Sequence, residues 1–368
     1  MTEGKMTILY DHQAFDMQDY GGISRYFSNL IHGIKERDEF KVLLPLQYST
    51  NYYIRDLPQQ MNYTIGRALL YKQRRRTRWN RKLAKKKIAN SDFDIFHPTY
   101  FNPYFLDYLR KPMIVTVHDM IYENFPDLFP EAEEVIRDKQ KLINSADQII
   151  AISEFTKQQV IKHFPGTQSK ITVIYHGLPN EMTSPSNIHL PHKYLLYVGD
   201  RAAVYKNFIS FLETIAPILT ISNDLHLICA GGGPFTEPEL NQIKKLKITG
   251  KTLQIRASDH QLVQLYQQAI AFIYPSLQEG FGLPMLEAFK NECPIACSDT
   301  SCFPEVGGKA VTYFDPLDIH AMRQKISQLI YDPDLRQLQK TEGLKQLRKF
   351  TFENSLDQTI ACYKKITL

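Results

Sequence analysis

Residues 273–289 read Ile-Tyr-Pro-Ser-Leu-Gln-Glu-Gly-Phe-Gly-Leu-Pro-Met-Leu-Glu-Ala-Phe. The apolar run at residues 269–274 predicts a buried strand, which Pro275 ends. Pro284 occupies a position that the first turn of a helix tolerates, and residues 285–289 continue as helix. The stretch therefore predicts a strand, a glycine-broken loop and a helix.

This loop has the features of an anion-binding site. Backbone N–H groups and the positive end of a helix dipole converge on one point there. Glu279 precedes the loop and Glu287 lies one turn into the helix, so two carboxylates are available to accept hydrogen bonds from hydroxyl groups. A phosphate with many hydroxyls nearby describes a nucleotide sugar. The predicted donor-binding residues of the loop are Gly280, Phe281, Gly282 and Leu283.

The same residues resemble the E-x7-E signature of the retaining glycosyltransferases of family 4. A lone pair of acids with this spacing would be interpreted as two surface carboxylates. The longer motif Pro-Ser-x-x-Glu-Gly-Phe-Gly-Leu-Pro-x-x-Glu-Ala, from Pro275 to Ala288, favours the family. The resemblance implies an α/β protein of the GT-B fold, with two Rossmann-like domains that face each other across a cleft.

The domain organisation follows from the length and from this resemblance. A chain of 368 residues suggests about two domains, and strands alternate with helices throughout. We expect an acceptor-binding domain at residues 1–187 and a nucleotide-sugar-binding domain at residues 188–351. The amphipathic segment at residues 352–368 is expected to cross back onto the first domain.

The composition argues against several other classes of protein. With 43% hydrophobic and 23% charged residues, the chain has the composition of an ordinary globular protein. No stretch reaches the roughly 18 apolar residues of a membrane span, and the N-terminus lacks the apolar region of a signal peptide. Cys293, Cys297 and Cys302 are interpreted as small buried thiols, since no C-x-x-C pair is present. We therefore expect a cytoplasmic protein.

One segment is strongly basic. Residues Lys72 to Lys87 include ten Lys or Arg and no acid, so subtracting them from the net charge of +5 leaves −5 for the rest. A solvated helix face is one interpretation, and adsorption to anionic lipid, at roughly 1 kcal/mol per cation, is another. Nucleic acid is a third, but Trp79 is the single aromatic residue in the segment. We favour the inner face of the cytoplasmic membrane and expect no nucleic-acid partner.

In the first domain the resemblance implicates three residues. Gly21 and Gly22 begin a helix after the first strand, where glycines let a backbone approach a phosphate. His118 follows the strand Met-Ile-Val-Thr-Val, at the end where such sheets bind ligands. The family segment similar to Val-Thr-Val-His-Asp contacts the donor sugar through its His. His97 and His176 also follow strand-like runs but lack this resemblance.

In the second domain the resemblance implicates cations and a further glycine loop. Arg201 and Lys206 are expected to stabilise the negative charge on a departing nucleoside diphosphate. Gly231-Gly-Gly233 resembles the nucleotide-side loop of the family, and the region of Arg256 is expected beside the base. With Glu279 on the donor sugar, Glu287 on the ribose and His118 orienting the sugar, these residues form the predicted site.

We expect no metal and no other cofactor. Asp92-x-Asp94 is similar to a metal-binding D-x-D, but Asp94 immediately precedes a strand and is interpreted as a strand-entry residue. Asp332-Pro-Asp334 is interpreted as a turn and helix start. Family resemblance implies retention through attack on the same face of the sugar, with the leaving phosphate accepting the proton of the acceptor.

The resemblance extends to bacterial mannosyl- and hexosyltransferases of surface-polysaccharide synthesis, such as O-antigen, lipopolysaccharide or capsule. GDP-mannose is the first expectation for the donor, ahead of UDP-hexoses and dTDP- or GDP-deoxyhexoses, with a glycan or lipid-linked acceptor. Three other classes stay open: a nucleotide-sugar epimerase, a pyridoxal-phosphate-dependent phosphorylase and a non-catalytic glycan-binding subunit. Product formation without an acceptor would indicate the first, cofactor absorbance the second and absence of turnover the third.

Overall fold

The structure is a computed structural model that describes residues 4–179 and 188–367. The chain divides into two compact units: residues up to 176 join residues from 353 onward, and residues 177–352 form the second unit. Every strand pair in the described sheets is parallel, so the predicted two-domain α/β class is confirmed. The predicted boundary after Asn187 adjoins residues 180–187, which lie outside the described residues, and stays a prediction. Within the described ranges, no helix is both long and apolar enough to cross a bilayer.

The first unit contains six strands and seven helices before the chain leaves it, counted over its described residues. The strands are β1 (Met6–Tyr10), β2 (Phe40–Leu43), β3 (Ile95–His97), β4 (Ile114–Val117), β5 (Gln148–Ala151) and β6 (Ile171–Val173). The helices are α1 (Gln13–Met17), α2 (Gly22–Lys35), α3 (Tyr63–Leu70), α4 (Gln73–Asn90), α5 (Ile121–Asn124), α6 (Ala132–Ser145) and α7 (Glu154–His163). The strands pair in the orders β2-β1-β3 and β4-β5-β6, and a bridge from Phe96 to Met113 joins the two groups.

The second unit forms one six-stranded sheet in the order β12-β11-β10-β7-β8-β9. Its strands are β7 (Lys193–Val198), β8 (Leu225–Ala230), β9 (Thr252–Ile255), β10 (Ala271–Tyr274), β11 (Ile295–Ser298) and β12 (Thr312–Phe314). Its helices are α8 (Phe208–Ile221), α9 (Glu237–Lys245), α10 (Asp259–Gln268), α11 (Leu283–Lys290), α12 (Phe303–Gly307), α13 (Ile319–Tyr331) and α14 (Pro333–Leu347). The chain order reverses between β10 and β7, which are therefore the central strands.

The last helix, α15 (Phe352–Thr367), belongs to the first unit from Glu353 onward, as predicted. Its Tyr363 is fully buried, and the hydroxyl lies 2.7 Å from the hydroxyl of Tyr10 and 2.7 Å from Nδ1 of His97. The helix is thus fixed to the carboxyl ends of β1 and β3 by a buried polar contact as well as by apolar packing.

The strand–loop–helix stretch is confirmed, with a shifted start of the strand. The strand begins at Ala271 rather than at residue 269, because Ala269 is the C-terminal cap of α10. The helix begins at Leu283 and has Pro284 in its first turn, as predicted. Asp94 occupies the predicted strand-entry position: its carboxylate accepts a hydrogen bond from the backbone N–H of Thr7 at 2.7 Å.

Candidate functional site

The second unit places its predicted ligand-binding residues at one point of its sheet. In doubly wound parallel sheets, ligands bind beyond the carboxyl ends of the strands where the strand order reverses. Here that point lies after β7 and β10, whose register pairs Ala271 with Leu195. Lys206 follows β7 and Glu279 follows β10, so the fold brings residues 73 positions apart to the same edge.

Lys206 and Glu279 form a mostly buried ion pair. The ammonium Nζ lies 2.6 Å from the carboxylate Oε1, and the side chains are 15% and 11% exposed. The ammonium also lies 5.2 Å from the ring centre of Tyr205 and 6.0 Å from that of Tyr274. The predicted phosphate-binding cation and the predicted sugar-binding carboxylate are therefore neighbours.

Backbone and hydroxyl contacts hold the two loops of this pair together. The N–H of Leu277 donates to the carbonyl of Tyr205 at 2.7 Å, which ties the loop after β10 to the loop after β7. The hydroxyl of Thr300 donates to the carbonyl of Leu277 at 3.0 Å, and the N–H of Glu279 donates to Oγ of Ser301 at 3.3 Å. The loop of Glu279 is thus held by two other segments of the chain, residues 205–206 and residues 300–301.

The loop between β10 and α11 presents backbone rather than side chains. Gly282 has φ 88°, a left-handed conformation that favours glycine, and it caps α11 without a side-chain hydrogen bond. Phe281 is buried, and its ring packs edge-on against Phe350 at 5.6 Å. Because the Phe281 side chain belongs to the core, only backbone atoms of Gly280 to Gly282 are suited to contact a ligand, while Leu283 begins the helix.

Two predicted donor-binding residues lie further along this unit. Glu287 is on α11, and its Oε2 accepts a hydrogen bond from the hydroxyl of Tyr266 at 3.2 Å. Arg256 directly follows the edge strand β9 and is exposed. Both roles, on the ribose and beside the base, stay predictions.

Arg201 is more enclosed than we expect of a side chain that contacts a diphosphate. It is buried, and its Nε donates to a carboxylate oxygen of Glu239 at 2.9 Å. Its Nη2 donates to the carbonyls of Gly233 and Pro234 at 2.7 and 3.1 Å, and its Nη1 donates to that of Gly231. Arg201 therefore fixes the glycine loop in this structure, and direct contact with a diphosphate stays a prediction.

The glycine loop depends on its residue type. Gly231, Gly232 and Gly233 have φ values of 85°, 66° and 69°. A Cβ on Gly232 would lie 3.0 Å from Nη1 of Arg201. Backbone strain at positive φ and crowding by Arg201 thus both favour glycine in this loop.

In the first unit His118 follows β4 and lies in a buried aromatic cluster. Its ring stacks on His176 at 5.9 Å and meets the rings of Tyr26 and Phe27 edge-on. Its Nε2 is buried and has no hydrogen-bond partner among the described residues. Burial lowers the pKa of His118 well below its ordinary value, and the neighbouring His176 and His97 act in the same direction. His118 is therefore a neutral imidazole with an available ring nitrogen.

His97 differs because both of its nitrogens have partners. Nδ1 faces Tyr363 at 2.7 Å and Nε2 faces the hydroxyl of Thr116 at 2.9 Å. Burial lowers the pKa of His97 to about 3. These contacts are those of a structural residue, which agrees with placing His97 below His118 as a ligand-binding candidate.

Gly21 and Gly22 lie at the start of α2. Gly21 is the N-terminal cap of this helix, and a Cβ on Gly22 would meet nothing within 4 Å. The space beside Gly22 is compatible with a ligand, and contact of either glycine with the donor stays a prediction.

Sequence reasoning did not find a His–Asp pair directly after β1. Nδ1 of His12 lies 2.7 Å from the carboxylate of Asp16, and both side chains are buried. The other carboxylate oxygen of Asp16 accepts a hydrogen bond from Nδ2 of Asn80 at 2.8 Å. A His and an Asp four residues apart after the first strand would have been the signal.

The described residues offer no cluster of metal ligands. Over residues 4–179 and 188–367, no three His, Cys, Asp or Glu side chains come together to hold a metal ion. All five cysteines are buried and unpaired. Metal independence stays a prediction, because only an assay of the transfer reaction tests it.

Two parallel α/β units, with a lysine–glutamate pair and a glycine-capped helix at the centre of the second, agree with the GT-B glycosyltransferases that the sequence resembles. The family model described as Glycosyltransferase Family 4 matches residues 20–181, and that described as Glycosyl transferases group 1 matches residues 180–346. The chain belongs to glycosyltransferase family 4.

Individual relatives agree with this assignment. The chain is 28% identical over 288 residues to O-antigen chain mannosyltransferase B of Escherichia coli, which covers 73% of this chain and 74% of that protein. It is 27% identical over 229 residues to O-antigen chain mannosyltransferase RfbU of Salmonella typhimurium, covering 61% and 63%. Among solved structures, Anabaena HepE in complex with UDP-glucose matches with a TM-score of 0.74 at 16% identity, covering 98% of this chain and 100% of that one.

The buried histidines predict a pH-dependent stability of the first unit. Burial lowers the pKa of both His97 and His176 to about 3, whereas the unfolded chain takes up these protons below pH 6.5. The free energy of unfolding should therefore fall as the pH decreases below 6.5, by up to about 1.4 kcal/mol per pH unit for each histidine. Urea unfolding at pH 7.5 and 5.5, followed by the fluorescence of the single tryptophan, Trp79, measures this change.

The matched variant is His97→Gln, which cannot take up the proton. Its loss of stability between pH 7.5 and 5.5 should be smaller than that of the wild type by about 1.4 kcal/mol. An identical pH dependence for both proteins would contradict the assignment of His97 as a neutral buried residue.

Proposed function

We propose that this glycosyltransferase moves a hexose from a nucleotide sugar to a glycan acceptor, and that the second unit binds the donor. The observation that supports this proposal most strongly is the Lys206–Glu279 pair, with Nζ and Oε1 2.6 Å apart. It combines a cation for a diphosphate with an acceptor for sugar hydroxyls at the point where parallel sheets bind ligands.

Lys206 is suited to stabilise the leaving group. An ammonium group has three N–H donors, and Glu279 occupies one of them. The others remain for oxygens of the β-phosphate, on which negative charge develops as the bond to the sugar breaks. In a partly buried site such a charge-assisted contact is stronger than in water.

The remaining residues position the donor. The second carboxylate oxygen of Glu279 would accept from a sugar hydroxyl, and the N–H groups at Gly280 to Leu283 would contact the phosphate. Glu287 would accept from the ribose. In the first unit, the buried neutral ring of His118 would orient the sugar through Nε2.

We propose retention of the anomeric configuration. The bond between the anomeric carbon and the β-phosphate oxygen breaks, and the phosphate leaves with the electron pair. The acceptor hydroxyl bonds to that carbon on the same face, and its proton passes to the leaving phosphate oxygen. These steps balance without a metal ion, since Lys206 supplies the positive charge.

The donor and the pathway are inferred from relatives. Two relatives are O-antigen chain mannosyltransferases, which supports mannose from GDP-mannose and a role in bacterial surface-glycan synthesis. The fold neighbour from Anabaena is in complex with UDP-glucose, so UDP-hexoses are the alternative donors.

We further propose that α4 attaches the protein to an anionic membrane, where a lipid-linked acceptor would be located. Arg76, Asn80, Ala84 and Ile88 form its buried stripe, at four-residue spacing. The cations two positions away from each of these lie on the opposite side of the helix. They are Arg74, Arg78, Lys82 and Lys86, all exposed. None of the four forms an ion pair with another residue in the described part of the chain.

The cytoplasmic side of the membrane fits both this surface and the thiols. The inner leaflet carries the anionic lipids that basic helices bind. All five cysteines are buried and unpaired, which is typical of a reducing compartment.

Removing the ammonium group of Lys206 should slow transfer of the hexose. We expect Lys206→Met to lower kcat for hexose transfer by about 100- to 1,000-fold, the usual cost of losing one contact to a developing negative charge. Glu279→Gln should weaken binding of the nucleotide sugar more than binding of the free nucleoside diphosphate. Transfer assays with GDP-mannose and UDP-glucose, with and without EDTA, measure these effects.

The matched control is Lys193→Met, because Lys193 forms an exposed pair with Asp224 at 2.8 Å in the same unit. It should retain wild-type turnover. Equal turnover of Lys206→Met and the wild type would refute the proposed role of Lys206, and loss of turnover in EDTA would refute metal independence.

The outward stripe of α4 predicts charge-dependent membrane binding. Replacing Arg74, Arg78, Lys82 and Lys86 by Gln should weaken binding to vesicles that contain phosphatidylglycerol at least tenfold, because each cation contributes roughly 1 kcal/mol near such a surface. Sedimentation with vesicles measures the binding, and a shift in the emission of Trp79, which is on this helix, reports its contact with lipid.

A control protein carries four exposed cations of the second unit, Lys244, Lys245, Lys247 and Arg348, replaced by Gln. It has the same net charge as the α4 variant and should bind vesicles like the wild type. Equal loss of binding in both variants would show that net charge, and not α4, determines adsorption.

A further inference from the structure

The first unit contains a cavity of about 420 Å³ that none of the predicted site residues lines. It lies between the chain after α1, the chain after β2, helix α3 and the start of α4. Pockets for small ligands enclose about 300–1,000 Å³. Met17 is the one aliphatic side chain among the nine residues that line the cavity. A lining of this polarity suits a hydrated, hydroxyl-rich ligand and disfavours a lipid chain.

Tyr48 forms the buried part of the lining. The residue is fully buried, and its hydroxyl has no hydrogen-bond partner among the described residues. Burial raises the pKa of Tyr48, and the charges of Arg76, Arg67 and Asp19, which also line the cavity, act on the same pKa. A buried hydroxyl without a partner costs free energy unless a ligand supplies one. It is therefore the feature that most directly points to an occupant.

Asp16 holds two side chains of the cavity lining, those of Arg76 and Gln73. Nε of Arg76 lies 3.5 Å from the carboxylate of Asp16, and its Nη2 donates to the carbonyl of the same residue at 3.3 Å. Nε2 of Gln73 donates to that carbonyl at 3.0 Å. Both side chains line the cavity, so their positions are set before a ligand arrives. Such preorganisation reduces the entropic cost of binding.

Helix α3 supplies the other wall. Tyr63, Arg67 and Tyr71 line the cavity at four-residue spacing, which places them along one side of the helix and its end. The tyrosines are 57% and 66% exposed. The negative face of an aromatic ring attracts the C–H groups of a pyranose, and these rings are accessible to one.

Arg67 gives the lining a cation that can bind an anionic group. Of the other charged lining residues, Arg76 is paired with Asp16, and Asp19 accepts a hydrogen bond from the hydroxyl of Thr50 at 2.5 Å. Arg67 is exposed and forms no ion pair with any residue in the described ranges. The fork of a guanidinium group suits two oxygens of a phosphate.

We infer that this cavity binds a pyranose that carries a phosphate, as the phosphorylated end of the acceptor. The phosphate contacts Arg67 and Arg76, the sugar ring lies against Tyr63 and Tyr71, and the hydroxyl of Tyr48 bonds to the ligand. The inference rests on the proposed function for the role of this ligand as acceptor. The binding site itself follows from the cavity and its buried hydroxyl.

Calorimetry on the full chain tests the binding. The probes are α-D-mannose 1-phosphate, N-acetyl-α-D-glucosamine 1-phosphate, the two free sugars and inorganic phosphate. At least one sugar phosphate should bind tenfold or more tightly than its free sugar and than phosphate. Tyr48→Phe and Arg67→Gln should each weaken that binding at least fivefold.

Each variant has a matched control outside the cavity. Tyr108→Phe removes a partly exposed hydroxyl, and Arg75→Gln removes an exposed cation that precedes Arg76. Neither should alter the affinity. Tyr48→Phe removes a hydroxyl that has no partner, so it should fold as stably as the wild type, as thermal unfolding would verify.

The failure of this inference is distinguishable from the failure of the proposed function. If binding of the sugar phosphate is lost in Lys206→Met and unchanged in Tyr48→Phe and Arg67→Gln, the ligand occupies the second unit and the inference is wrong. It is also wrong if no sugar phosphate binds while nucleotide sugars do. Binding that depends on the cavity in a protein without transferase activity would support the site and refute the proposed function.

A final comparison identifies the source of the phosphorylated sugar. Farnesyl diphospho-N-acetylglucosamine and N-acetylglucosamine 1-phosphate share the sugar and the phosphate and differ in the lipid. Tighter binding of the first, still dependent on Tyr48, supports a lipid-linked acceptor. Equal affinities, still dependent on Tyr48, support a free sugar phosphate. Loss of the dependence on Tyr48 for both ligands overturns the inference.

Discussion

The second unit depends on one ion pair at the point where its strand order reverses. Lys206 and Glu279 are mostly buried, so removing either partner leaves a charge that water solvates poorly. The pair is held by backbone contacts between the loops after β7 and β10, which are themselves adjacent because the strands pair. The sheet order therefore places Lys206 beside Glu279. A ligand that is both anionic and rich in hydroxyls can interact with both side chains.

The buried histidines of the first unit are uncharged, in contrast to the buried ion pair of the second unit. His97, His118 and His176 are buried with pKa values far below the ordinary range, so they remain uncharged. Tyr363 from the last helix completes this cluster through its contacts with Tyr10 and His97. A neutral, rigid cluster can orient a sugar without adding charge, while α4 carries the unit's concentration of basic residues.

Local sequence predicted the elements well and the long-range contacts poorly. Gly282 and Pro284 predicted the loop and helix after β10, and the return of the last helix followed from the family. The hydrogen bond of Arg201 to Glu239 joins residues 38 positions apart and depends on how α9 packs, which no local pattern encodes. The unpartnered hydroxyl of Tyr48 could not be predicted from the sequence either, since its burial and direction arise only when α3 and α4 enclose the side chain.

A crystal structure of the protein with GDP-mannose, or with UDP-glucose if that is the donor that stabilises it, tests the roles of Lys206 and Glu279 most directly. We expect Nζ of Lys206 within about 3 Å of a β-phosphate oxygen and Glu279 within hydrogen-bond distance of a hydroxyl of the sugar. A donor bound away from β7 and β10, with Lys206 and Glu279 contacting only each other, would contradict these roles.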